Sequence, residues 1–143
     1  MTSSVVTAPE TAAVREVAEL MREHNVGSVV LVDEGGRPAG LVTDRDLTVG
    51  VVADGRDPAD HVADHASTPV VTGSADMDVR QAAELMTGHA IRRLPILDGD
   101  RLIGILTLDD LVVRTGDVEL AHQLTSEITR AALPDFYFHH RGG

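Results

Sequence analysis

The 143-residue chain is acidic, with 23 aspartates and glutamates against 12 basic residues and a formal net charge of −11. That balance repels a phosphate backbone, and with no basic stripe to offset it nucleic acid is not an expected partner. Cysteine and lysine are both absent, which excludes disulfides, thiolate metal sites, Schiff-base chemistry and a lysine-dependent phosphate loop.

The length suits one compact domain burying roughly 70% of its unfolded surface. No stretch of 18 apolar residues is present, so no membrane span is expected. The opening Met-Thr-Ser-Ser lacks a basic region followed by an apolar core. An export signal is therefore not expected, and the chain reads as cytoplasmic.

Taken in order, Val5-Val6-Thr7 is a short β-prone segment, followed by a helix-cap candidate at Thr11. Val14, Val17, Ala18 and Met21 then recur at helical spacing. An apolar strand is expected from Ser28 to Val32, a turn at Asp33-Glu-Gly-Gly, a second strand from Ala39 to Val42, and a short helix starting near Asp44. Asp54 to Asp60 reads as a turn-rich connector with one helical turn after Pro58.

The pattern then repeats. Val70-Val71-Thr72, the cap candidate Asp76, the helical series Val79, Ala82, Ala83 and Met86, a strand from Leu94 to Leu97, a turn at Asp98-Gly-Asp, a strand from Leu102 to Leu106 and a helix near Leu108 follow in the same order. Val5–Leu47 aligns on Val70–Leu111 with one gap, and 17 of 42 paired positions are identical. His24 pairs with His89, and Gly40, Thr43, Asp46 and Leu47 pair with Gly104, Thr107, Asp110 and Leu111. The fold class is therefore α+β, two β-α-β-β-α units that each need a partner to cover an apolar face. The cleft between copies is the natural place for a ligand. A further helix is expected from Asp117 to about Ala132, ended by Pro134. The organisation is 1–57 for the first repeat, 58–115 for the second and 116–143 for a C-terminal helix and aromatic tail.

Each copy closes on Gly-apolar-apolar-Thr-x-x-Asp-Leu, as Gly40-Leu-Val-Thr43-Asp-Arg-Asp46-Leu47 and Gly104-Ile-Leu-Thr107-Leu-Asp-Asp110-Leu111. With Ile91-Arg-Arg-Leu-Pro-Ile96, these motifs resemble a tandem pair of cystathionine-β-synthase (CBS) domains, over about residues 5–115. The layout is similar to that of small stand-alone bacterial members.

Threonine and aspartate where a strand meets a helix can cap the helix. They can also hold a phosphate at free N–H groups or accept hydrogen bonds from a ribose diol. The resemblance implies that Asp46 and Asp110 hold ribose hydroxyls, with Thr43 and Thr107 near phosphate. It further implies that each copy's Thr and Asp face the base-binding segments of the other. Thr43 and Asp46 would then meet Val71, Thr72 and Ile91 to Pro95, including Arg92 and Arg93, whose guanidiniums suit an anion. Thr107 and Asp110 would meet Val6, Thr7 and Gly27-Ser28, which carry no charge. The first of these clefts is the expected primary site. The competing expectation for Arg92 and Arg93 is pairing with surface carboxylates.

The three aromatics, Phe136, Tyr137 and Phe138, lie together in the tail, expected to dock on a partner subunit beside His139-His140. A base would sit between aliphatic side chains such as Val71, Leu94 and Val29. His24 and His89 are expected at helix ends, and His61 and His65, four apart, as a solvated pair without a third metal ligand. No metal is expected.

No nucleophile elbow or metalloprotease motif is present, so the chain is not expected to be an enzyme. The reading is a regulatory, ligand-sensing CBS pair that binds AMP, ADP, ATP or S-adenosylmethionine, serves an unknown regulated protein and forms a homodimer. The dimer would use Ala12, Val14, Ala18 and Met21 with Ala82, Ala83 and Met86. The alternative is a non-catalytic dimeric interaction protein with empty clefts.

Overall fold

The structure, a computed structural model, describes residues 5–68 and 70–115. The expected helix at 117–132, Pro134 and the Phe136–His140 tail lie outside the described residues. The chain divides into two compact units. Among the described residues, one holds the first repeat, the connector through Val70 and Asp100–Leu102; the other holds Val71–Gly99 and residues 103–115.

In the first unit, β1 (Thr7–Pro9), α1 (Val14–His24), β2 (Ser28–Val32), β3 (Pro38–Thr43) and α2 (Asp44–Leu47) follow one another. The sheet order is β1-β2-β3, with β1 parallel and β3 antiparallel to β2. Val29, Val30 and Leu31 are almost fully buried, which explains why β2 is a continuous apolar run rather than an alternating one. Val14, Val17 and Met21 of α1 join Val29, Leu31, Val42, Leu47 and Val62 in one core.

β1 begins at Thr7, later than Val5-Val6-Thr7 suggested, because its register sets Thr7, Ala8 and Pro9 beside Val30, Leu31 and Val32. Pro9 falls at the end of an edge strand, where its missing N–H costs no ladder bond. Thr11 is not the cap of α1. That position belongs to Ala13, which has no side-chain cap bond. The connector supplies the acceptors instead: Val14 N–H donates to the Asp60 carbonyl and Arg15 N–H to the Pro58 carbonyl, both at 2.9 Å. These bonds satisfy two of the donors that a helix start leaves open.

α2 runs on into a π-helical turn at Thr48–Val52, where Ala53 N–H reaches the Thr48 carbonyl. The helical turn expected after Pro58 falls at Val62–His65, a 3-10 turn that drives fully buried Val62 into the first core. Ser67 then exchanges backbone bonds with Leu41, covering the outer edge of β3.

The second unit repeats the plan with β4 (Gly73–Ser74), α3 (Val79–His89), β5 (Arg93–Asp98), β6 (Arg101–Thr107) and α4 (Leu108–Thr115), in sheet order β4-β5-β6. β4 starts after Val70-Val71-Thr72, since the residues paired with Ile96 and Leu97 are Gly73 and Ser74. Asp76 does not cap α3; Asp78 does, in a reciprocal box with Gln81 at 2.8 and 2.9 Å. Asp76 accepts from the Ser74 hydroxyl instead. The second core gathers Ala82, Ala83, Met86, Leu94, Ile96, Leu106, Leu108 and Leu111.

These cores correct the expected dimer face. Ala12, Val14 and Met21, and likewise Ala82, Ala83 and Met86, are buried within their own repeats. Of the seven residues only Ala18 is exposed.

Candidate functional site

In each repeat the last residue of a strand is also the cap of the next helix. Thr43 leaves β3 in extended conformation, and its hydroxyl accepts from Asp46 N–H at 3.2 Å. The Asp46 Oδ2 accepts from Thr43 N–H at 2.8 Å. Thr107 and Asp110 reproduce the arrangement at 3.2 and 2.9 Å. The Thr-x-x-Asp spacing is thus what a capping box demands, since the cap and the third helical residue each satisfy the other's N–H. All four residues are half-buried.

Asp110 is held below its ordinary carboxylate value of 3.8. Burial is the largest single influence and acts upward; hydrogen bonding to the backbone and side chain of Thr107 and the positive charge of the N-terminal amine act downward and together outweigh it.

One further bond recurs. The first helical N–H, from Asp44 or Leu108, donates to the carbonyl of the residue just before the central strand, Gly27 at 3.0 Å or Arg92 at 3.2 Å. The loop ahead of that strand is thereby fastened beside the helix start. In the first repeat the loop carries Gly27 and Ser28; in the second it carries Arg92 and Arg93.

The second unit accordingly has a cavity of about 260 Å³ lined by Arg92, Arg93, Thr107, Leu108 and Asp109. Arg92 is exposed and Arg93 half-buried. The expected pairing with carboxylates is not seen: among the described residues neither arginine makes an ion pair. The surroundings of Thr107, expected to be uncharged, therefore hold two guanidiniums beside a helix start. Such a site can take an anion through charge-assisted hydrogen bonds. Sequence reasoning assigned no role to Leu108 and Asp109. The signal was the motif itself, whose two variable positions face the same space as its threonine.

The remaining candidates divide. Thr7 is exposed, and Ser28 and Thr72 are half-buried. Val6 packs on the first core, and Val71 and Ile91 on the second. Leu94 and Val29 are fully buried against their helices and cannot sandwich a base, contrary to expectation. His24 and His89 do end α1 and α3. The pair His61 and His65 is not jointly solvated: the His65 side chain is only 9% exposed, with Nε2 3.7 Å from Asp60 Oδ2. Among the described residues no three potential ligands gather as a metal site.

Two β-α-β-β-α units, each closed by a Thr-x-x-Asp capping box, define a tandem CBS pair. The CBS domain family matches residues 1–52 and 62–115, and the chain belongs to it. It is 46% identical over 110 residues to an uncharacterized protein of Methanopyrus kandleri, covering 76% of this chain and 56% of that one. It is 39% identical over 129 residues to a CBS domain-containing protein of Bacillus subtilis, covering 90% and 91%. Relatives thus occur in both archaea and bacteria. Among solved structures, a CBS domain protein of Pyrobaculum aerophilum complexed with AMP matches with a TM-score of 0.73 at 29% identity, covering 88% of this chain and 95% of that one. The cytosolic domain of the Mg²⁺ channel MgtE in complex with ATP matches with a TM-score of 0.68 at 32% identity, covering 80% and 46%.

Proposed function

We propose that the protein is a non-catalytic sensor that binds an adenine nucleotide at the start of α4. Arg92 and Arg93 meet its phosphate, Thr107 lies at the phosphate end, and Asp110 stands at the ribose. The observation that carries this reading is the pair of guanidiniums, unpaired among the described residues, lining a cavity beside the helix start. The AMP-bound and ATP-bound relatives support adenine nucleotides as the ligand class. Thr43 and Asp46 offer an equivalent setting without the arginine pair, with Gly27 and Ser28 in its place. In this reading Thr7, Ser28, Val71, Thr72 and Ile91 are peripheral to the phosphate contact. The protein acts in the cytoplasm as a homodimer upon a separate regulated protein, and no described helix is long and apolar enough to cross a membrane.

Thermal unfolding with AMP, ADP, ATP and S-adenosylmethionine tests the reading. A ligand that binds only the folded chain stabilises it as its concentration exceeds Kd. A concentration-dependent rise with at least one adenylate is expected. No rise with any of them at millimolar concentration would favour the alternative, a purely structural interaction protein. That second reading has its own observation: the capping boxes give both threonines and both aspartates a structural task without any ligand.

A further inference from the structure

Asp109 occupies in the second repeat the position that Arg45 holds in the first, two residues after the threonine in both cases. It is exposed and lines the same cavity as Arg92 and Arg93. Among the described residues it forms an ion pair with neither arginine. We propose that Asp109 is a specificity-determining residue that limits the negative charge the cavity accepts, favouring a ligand with one phosphate over one with a chain of phosphates. The proposal rests on the nucleotide reading of this cavity.

Two guanidiniums offer N–H donors to a single phosphate group, the partial positive charge of the helix start favours an anion there, and guanidinium geometry matches phosphate oxygens in pairs. Those donors are then spent. Further phosphoryl groups bring more anionic oxygens into a space of about 260 Å³, where the remaining charged lining side chain is the Asp109 carboxylate. A carboxylate and a phosphate are both acceptors, so neither can supply the proton for a hydrogen bond. Their like charges repel at a few ångströms, an effect softened but not removed by exposure and salt. Asp109 therefore acts against the wrong ligand more than for the right one, which is how a repulsive element confers selectivity. A divalent cation reverses the argument, since phosphate and carboxylate oxygens together suit Mg²⁺. The preference belongs to metal-free conditions.

The experiment is calorimetric titration of the full chain with AMP and with ATP in EDTA, for the wild type and for Asp109→Asn. The wild type should bind AMP more tightly than ATP. Asp109→Asn should raise ATP affinity about tenfold more than AMP affinity, and added salt should narrow the wild-type preference. Any loss of helix stability caused by the substitution weakens both ligands alike and cannot produce this difference. Wild-type binding of ATP as tight as that of AMP, or equal change for both ligands in the variant, would overturn the role of Asp109 and leave the nucleotide reading standing. Failure of both nucleotides to bind wild type and variant would overturn the nucleotide reading and this inference with it.

Discussion

The backbone N–H of Leu108 donates to the carbonyl of Arg92 at 3.2 Å, and this bond ties the arginine pair to the first residue of α4. Asp44 N–H and the Gly27 carbonyl make the same bond in the first repeat at 3.0 Å. The two repeats therefore share one backbone scaffold and differ in what it displays. Duplication fixes the place of a site, and substitution within one copy decides its charge.

Removing the cap hydroxyl should weaken that scaffold. Thr107→Ala deprives Asp110 N–H of its acceptor, at a cost of about 1 kcal/mol by analogy with other cap deletions. Urea unfolding should show a lower midpoint with unchanged slope. A variant as stable as the wild type would mean that the box contributes little.

Gly73 has no room for a side chain. A Cβ there would lie 2.8 Å from the Met77 sulfur, 2.9 Å from Leu94 Cδ2 and 3.0 Å from Ile96 Cδ1. Met77 can swing away, but Leu94 and Ile96 are buried in the second core. Gly73→Ala should therefore cost about 1–3 kcal/mol through overpacking, read as a drop in the thermal midpoint. At the matched position the first repeat tolerates Ala8, buried at 3% exposure.

α3 is capped by Ala90 in the left-handed region, at φ 54°, where α1 is capped by Asn25 at φ 51°. Asparagine visits that region readily and alanine pays for its Cβ. Ala90→Gly should stabilise the chain by up to about 1 kcal/mol, the relief of strain being partly offset by the freedom glycine gains when unfolded. Chemical denaturation measures the change, and a loss of stability would contradict the cap assignment.

Acid should undo the Asp110 contribution. Its carboxyl is held below the ordinary value of 3.8, so the stabilisation is fully present above the unfolded value and disappears as pH falls through the folded one. Asp110→Asn should therefore be less stable than the wild type near neutrality, with the gap closing below about pH 4. A gap that stays constant down to pH 2 would show that the carboxylate charge is not what stabilises.

Much of the architecture was legible because local pattern and tertiary environment agree. Ser28–Val32 is a strand both by apolar run and by its burial between neighbours. Asp78-x-x-Gln81 has the spacing of a capping box, whereas the mutually aligned Thr11 and Asp76 cap neither helix. The cap of α1 could not be read locally, since its acceptors are carbonyls of Pro58 and Asp60, more than 40 residues along the chain. The apolar helix residues showed that a face was covered, but not by what. Only packing shows that Val14, Met21, Ala82 and Met86 belong to internal cores. At the site the motif residues were legible, whereas Asp109 gained meaning only when the cavity placed it with Arg92 and Arg93.

The central claim is that the Arg92–Arg93 cavity holds a nucleotide phosphate, and calorimetric titration of AMP into wild type and Arg93→Ala tests it most directly. The account predicts saturable binding to the wild type. It also predicts at least about tenfold weaker binding to the variant, the loss expected when a charge-assisted hydrogen bond is removed, with the unfolding midpoint little changed. Equal binding by both proteins, or no heat from either at millimolar AMP, would contradict it.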